Sequence, residues 1–220
     1  MKKSFLPFSS SALKIIACIT MVIDHVGFLF FPDQEIWRII GRLSFPLFAF
    51  LIAEGYHHTK DVRMYVKRLF LFALISQLPY MLLLHAGGME IFELNVFFTL
   101  LTGLLALIGL SKLRFLYSFL LIIATCFVAQ FFHFSYGAFG MITIFTSYLF
   151  LNNRKIGIIT LSLIPFVNNL FNTLQWTAIF SLPFIALYDG KKGFSFPRYF
   201  FYWFYPAHIV LLCAIWYFFI

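Results

Sequence analysis

Residues 11–58 read SALKIIACITMVIDHVGFLFFPDQEIWRIIGRLSFPLFAFLIAEGYHH, two apolar runs separated by Pro32-Asp33-Gln34-Glu35. Each run holds about 20 residues, and at about 1.5 Å of rise per residue that is enough to cross a hydrocarbon core of roughly 30 Å. No small-residue cleavage site follows the first run, which also carries Asp24-His25. It therefore reads as a retained helix rather than a signal peptide. The pattern continues to the end of the chain. Polar breaks delimit apolar segments at about 11–31, 36–56, 64–86, 91–110, 114–133, 136–151, 156–172, 174–189 and 199–220. The sixth and eighth are the shortest and are the candidates for a tilted or re-entrant passage. The expected fold is all-α: one domain over residues 1–220, a polytopic transmembrane bundle of about nine helices.

Composition agrees with that reading. The 220 residues are 62% hydrophobic, 22% aromatic and 11% charged, which excludes a soluble globule and a disordered tail. A net charge of +8 would point a soluble chain toward nucleic acid. Here every Lys and Arg except Arg38 and Arg42 falls at alternate breaks: Lys2, Lys3 and Lys14, then Lys60, Arg63, Lys67 and Arg68, Lys112 and Arg114, Arg154 and Lys155, and finally Lys191, Lys192 and Arg198. The other breaks carry Asp33, Glu35, Glu90, Glu93, His133, Asn168, Asn169 and Asn172. Such segregation places the N-terminus in the cytoplasm and the C-terminus outside. It predicts a multi-pass membrane protein whose partner is the lipid bilayer, not nucleic acid. Cys18, Cys126 and Cys213 are scattered, and His57-His58 has no third ligand at metal spacing. Neither a disulfide framework nor a metal site is expected.

Asp24, Arg38, Arg42 and Glu54 are charges inside apolar segments. A charge at mid-helix costs about 2.5–3.5 kcal/mol on insertion scales, so each is a functional candidate unless a partner neutralises it. Counting rise per residue puts Asp24 and His25 roughly 10 Å, and Arg42 roughly 9 Å, from the same membrane surface. Arg38 and Arg42 are four apart and share a face, so one of them can pair with Asp24. Gln77 and Asn95 fall in the same half, and this collection of polar groups at one depth predicts a wet cavity. The chemistry that suits it is acyl transfer, with His25 as general base, Asp24 setting its tautomer and Arg42 holding an oxygen that gains charge. Arg38, Glu54, Gln77, Asn95 and His208 would support the cavity. No Ser or Cys adjoins the histidine, so direct attack by the acceptor is expected rather than an acyl-enzyme. The alternative is that Asp24 and an arginine only glue helices together.

His208 lies in mid-helix two residues after Pro206, which frees a carbonyl of the preceding turn. Its neighbours Tyr199, Tyr202, Trp203 and Tyr205 read as an interfacial aromatic cluster. Lys60, Arg63, Lys67 and Arg68 recur on nearly one helical face, a pattern that suits a phosphate or the nucleotide end of a coenzyme, although basic loops commonly serve topology alone. Asn168, Asn169, Asn172 and Gln175 read as a solvated turn. Hydrolase, metalloprotease and phosphate-loop signatures are absent.

Several blocks resemble the TraX family, named for the protein that acetylates the N-terminus of F-type pilin. They are Leu13-Lys14-Ile15-Ile16-Ala17, Met21-Val22-Ile23-Asp24-His25-Val26-Gly27, Arg38-Ile39-Ile40-Gly41-Arg42-Leu43-Ser44-Phe45-Pro46-Leu47-Phe48-Ala49-Phe50 and Glu54-Gly55-Tyr56-His57-His58-Thr59. Tyr65, Arg68-Leu69, Phe72-Ala73, Ser76 and Pro79, then Asn95-Val96-Phe97-Phe98-Thr99-Leu100 and Phe201-Tyr202-Trp203-Phe204-Tyr205-Pro206-Ala207-His208, are similar to later blocks. Coverage is nearly complete and weakest from about 112 to 175. A more distant similarity is to multispanning acyltransferases of the acyltransferase-3 type, at His25, Arg68 and His208; Gln77 stands where that group has an acidic residue, and the tenth helix usual there is missing. The resemblance implies transfer of an acetyl group from cytoplasmic acetyl-CoA, held near Arg63, Lys67 and Arg68, to an amine or hydroxyl of a protein N-terminus, a lipid or a glycan. Pilin acetylation and conjugation are the setting of the namesake. The rival readings are a permease with a buried charged pathway, which the lack of charged counterparts in the second half disfavours, and a non-catalytic assembly protein.

Overall fold

The computed structural model describes residues 7–89, 92–169 and 174–219. These form α1 (Ser10–Phe30), α2 (Glu35–Gly41), α3 (Ser44–His58), α4 (Val62–Ala86), α5 (Val96–Leu110), α6 (Phe115–Phe131), α7 (Gly137–Asn152), α8 (Arg154–Asn169), a 3-10 segment (Gln175–Ser181), α9 (Leu182–Ala186) and α10 (Phe200–Phe219). Among the described residues no β-strand occurs, only isolated bridges. The units Ser10–Phe30, Glu35–His58, Val62–Ala86 and Phe200–Phe219 are long and apolar enough to cross a membrane.

Contacts between loops sort the connections into two ends. At one, the Ser10 and Ser11 N–H groups donate to the carbonyls of Lys191 and Lys192 at 2.9 and 3.0 Å. There too the Tyr56 hydroxyl donates to Ser111 Oγ at 3.0 Å, and the Arg154 guanidinium donates to the Ala186 carbonyl. At the other end, Leu94 N–H donates to the His133 carbonyl at 3.0 Å and Ser135 N–H to Leu94 at 2.8 Å. The described basic loops gather at the first end, as the charge pattern requires. The segment expected as a helix over 174–189 is instead the 3-10 stretch followed by the five residues of α9.

The second segment, expected as one helix over 36–56, breaks at Arg42-Leu43. Pro46 explains the position: a proline ring collides with the carbonyl four residues before it and removes the N–H that would have bonded there. That carbonyl belongs to Arg42. The break frees α2 to lie across α1, and two glycines let it come close. A Cβ at Gly27 would overlap Trp37, and one at Gly41 would overlap the Asp24 carboxylate.

Burial then ranks the helices. Ten residues of α3 are buried, from Ser44 to Glu54, and α1, α5 and α7 pack around it. A helix apolar all round belongs at the centre of a bundle. Helix α6 is the opposite, with Ala129 its one buried residue and Phe115, Leu116, Phe127 and Phe131 turned outward. An outward apolar surface of this kind suits hydrocarbon, not water.

Candidate active site

A cavity of about 340 Å³ lies between α1, α2, α3, α4, α10, the start of α5 and the segment before α7. Asp24, His25, Arg38, Arg42, Ser44, Tyr80, Glu93, Ser135, Tyr136, Gln175 and Tyr205 supply its polar lining. Glu93, Ser135 and Gln175 come from the end that carries the acidic loops. A polar-lined cavity therefore lies where Asp24, His25, Arg38 and Arg42 come together.

His25 sits on α1 with its Nδ1 2.8 Å from Nε2 of His208 on α10. Nδ1 of His208 is in turn 2.8 Å from the Phe204 carbonyl oxygen. These partners assign the protons. A carbonyl only accepts, so Nδ1 of His208 carries hydrogen and its Nε2 is the lone-pair acceptor of the neutral ring. His25 then donates from Nδ1, and its own Nε2 keeps a lone pair. The two rings are parallel, with an interplanar angle of 2° and centroids 5.0 Å apart. Sequence reasoning named both histidines but did not join them.

Asp24 does not set the His25 tautomer, as the sequence reading expected. Its carboxylate accepts from Arg38 Nη1 at 2.8 Å, and the partner of His25 is His208. Of the two arginines it is Arg38 that pairs, while Arg42 faces Tyr136 and its Nε is buried without a hydrogen-bond partner. The break at Arg42-Leu43 is the reason: α2 ends there, and its last turn carries Arg38 over α1. Phe28 lies 5.2 Å below the Arg38 guanidinium and covers its other face.

Gln77 and Asn95 are not cavity groups. Asn95 is fully buried, donates to the Ala73 carbonyl at 2.7 Å and to Gln77 Oε1 at 2.9 Å, and caps α5 by accepting from Phe97 N–H at 3.0 Å. Gln77 completes the knot by donating to the Glu93 carbonyl at 2.9 Å. The pair welds α4 to α5. Asn95→Ala strands Phe97 N–H in the interior and removes both Nδ2 bonds, leaving Gln77 Oε1 only the main-chain N–H of residue 95, and about 2–3 kcal/mol of stability should be lost; unfolding in detergent measures it, and a wild-type midpoint would refute the role.

Glu54 is also elsewhere. It accepts from the Tyr188 hydroxyl at 2.9 Å and from Ser10 Oγ at 3.4 Å, and Ser10 stands fourteen residues, roughly 20 Å, along α1 from Asp24. The Tyr188 phenol is the donor, because an ionised carboxylate only accepts. This cluster ties the start of α1 to the chain after α9.

The basic face of α4 divides. Arg63 and Lys67 are exposed, whereas Arg68 turns inward beside Tyr65 and Tyr202, with Nε buried and unpartnered. Arg68 and Tyr80 are twelve residues apart on α4, roughly 18 Å. The space between is packed with aromatic rings, Phe72 against Tyr202 at 5.2 Å and Phe97 against Tyr205 at 5.3 Å. Trp203 and Tyr199 are exposed, as an interfacial belt should be, but Tyr205 is buried and lines the cavity.

Tyr80, Glu93, Ser135, Tyr136 and Gln175 escaped the sequence reading. Glu93 looked like a solvated loop acid, yet the Tyr80 hydroxyl donates to its Oε2 at 2.9 Å. Gln175 looked like part of a turn. Of the companions assigned to that turn, Asn172 and the side chains of Asn168 and Asn169 lie outside the described residues. Pro79 beside Tyr80 and Gly137 beside Tyr136 were the available signals.

A family model described as TraX protein matches residues 9–216. A Dichelobacter nodosus protein named probable fimbrial assembly protein FimC, serogroup H1, is 32% identical over 94% of this chain and 95% of its own. The Escherichia coli protein TraX is 29% identical over 42% of this chain and 36% of its own. No solved structure matches.

Proposed function

The chain belongs to the TraX family, and on that premise we propose that it is a membrane acetyltransferase. In this reading it is a multi-pass protein of a bacterial cytoplasmic membrane, with its N-terminus inside and its C-terminus outside. It moves an acetyl group from acetyl-CoA to an amine or hydroxyl acceptor. The relative named for fimbrial assembly and the family's namesake make a pilin N-terminus the first acceptor to try, in pilus assembly or conjugation.

The observation that carries the proposal is the His25–His208–Phe204 chain beside a polar cavity. A neutral histidine whose Nδ1 proton is engaged presents Nε2 as a base, the state needed to take a proton from an attacking amine or hydroxyl. His208 holds that tautomer, and the Asp24–Arg38 pair positions α1 against α2. Arg42 lines the same cavity and brings a fixed positive charge to a developing negative one.

Arg68 supports acetyl-CoA as the donor substrate. It follows exposed Arg63 and Lys67 within the first two turns of α4, and guanidinium and ammonium groups suit phosphates. When bound, acetyl-CoA supplies a thioester carbonyl activated for transfer, carried on a long flexible arm away from its phosphates.

The test is acetyl-CoA binding and thiol release by purified protein in lipid nanodiscs. Arg68→Ala should raise KM for acetyl-CoA about tenfold to a hundredfold, the equivalent of one charge-assisted hydrogen bond, with kcat little changed. Wild-type protein that neither binds acetyl-CoA nor releases thiol ends the proposal.

A further inference from the structure

We propose that Tyr136 is a catalytic residue of this site, its hydroxyl donating with the Arg42 guanidinium to the oxyanion formed on the acyl carbonyl. This rests on the acyl-transfer reading and adds to it a group that the reading itself does not require.

The first observation is backbone geometry. Tyr136 stands just before α7 at φ 72° and ψ −7°, and its side chain makes no capping bond. Bulky residues seldom occupy this left-handed region, and a cap position of this kind ordinarily goes to Gly or Asn. The surroundings leave Tyr136 no alternative. Ser135 N–H is tied to Leu94, the Ser135 carbonyl accepts from Thr99 Oγ1 at 2.6 Å, and the Tyr136 carbonyl accepts from Gly140 N–H at 2.9 Å. The ring stacks on Phe45 with centroids 3.9 Å apart and planes within 14°. A strained conformation held so firmly at a cavity wall is the kind that function retains.

The second observation is direction. Tyr136 lines the cavity that also holds His25, and its hydroxyl faces Arg42, with Asp24 and Arg38 within electrostatic reach. Arg42 lines the same cavity. A neutral O–H and a cationic N–H therefore meet on one side of the cavity, and a base approaches from α1. An acyl carbon between them would have a proton acceptor on one side and oxyanion donors on the other.

The chemistry balances. The acceptor's nitrogen or oxygen bonds to the thioester carbonyl carbon while its proton passes to His25 Nε2. The carbonyl π pair moves onto oxygen, where Tyr136 and Arg42 hold it. Re-forming the C=O bond breaks the C–S bond, and His25 returns the proton to the departing thiolate. Acylated acceptor and free thiol result, and Tyr136 remains protonated throughout.

Tyr136→Phe keeps the ring, its stacking on Phe45 and the backbone, so it isolates the hydroxyl. The full chain in nanodiscs is given acetyl-CoA and a peptide with a free N-terminus, and thiol release is followed beside His25→Ala. Loss of one oxyanion donor costs about 10²–10³ in kcat. The expected result is therefore a fall in kcat of about a hundredfold, KM for acetyl-CoA within about twofold of wild type and an unchanged unfolding midpoint. Wild-type kcat in Tyr136→Phe, with His25→Ala inactive, overturns the Tyr136 assignment and leaves acyl transfer standing. A hundredfold loss that comes with a lowered unfolding midpoint refutes a hydroxyl role in favour of a structural one. Absence of turnover in the wild type overturns both.

Discussion

Replacing His25 with Ala lowers acetyl-CoA-dependent thiol release by about 10²–10⁴-fold, the usual contribution of a positioned general base, while the bundle still assembles. The asymmetry follows from where the side chain sits. Its hydrogen bond goes to His208, and one of its edges borders the cavity, so truncation exposes His208 Nε2 to a space that admits water. Little packing is lost. His208→Ala is predicted to be milder, about tenfold to a hundredfold, because it removes the lock on the tautomer and leaves the base in place. It should also shift the pH profile of kcat, which a packing defect alone would not do. His25→Ala with wild-type turnover would sink the acyl-transfer assignment, and equal losses in the two variants would refute the separate roles of base and lock.

Asp24→Ala produces the largest expected loss of stability. The carboxylate is the ion-pair partner of Arg38 at 2.8 Å, with side-chain exposures of 11% and 25%. Removing it leaves a guanidinium confined against Phe28 with no counter-charge. Breaking a buried pair from one side typically costs about 3–5 kcal/mol, and because this pair borders a cavity the lower end is expected. Arg38→Met added to Asp24→Ala should recover most of the loss, since the stranded charge goes with it. Reversible unfolding in mixed detergent micelles reads the double-mutant cycle. Two additive losses would mean that the pair is not coupled, and a single variant as stable as wild type would remove Asp24 from the architecture.

Alternation of legs between a basic end and an acidic end was readable from hydropathy and charge alone, because apolar run length and the placement of Lys and Arg are local properties of the chain. Depth was readable for the same reason. A fixed rise per residue converts sequence number into height, and Asp24, His25, Arg38 and Arg42 do meet at one level around the cavity. Even the break at Arg42-Leu43 was present in the sequence as Pro46, four residues downstream of the carbonyl it displaces.

Azimuth was not readable. Which way a side chain points around its helix axis depends on how the neighbouring helices pack, and in helices this apolar the pattern of the sequence constrains rotation weakly. The pairing of His25 with His208, 183 positions away, the choice of Arg38 over Arg42 by Asp24 and the private bond between Gln77 and Asn95 are all decided by rotation. So is the arrival of Glu93, Tyr136 and Gln175 at the cavity. A fixed rise per residue sets which side chains lie at the height of the site, and the packing of helix on helix sets which of them face one another.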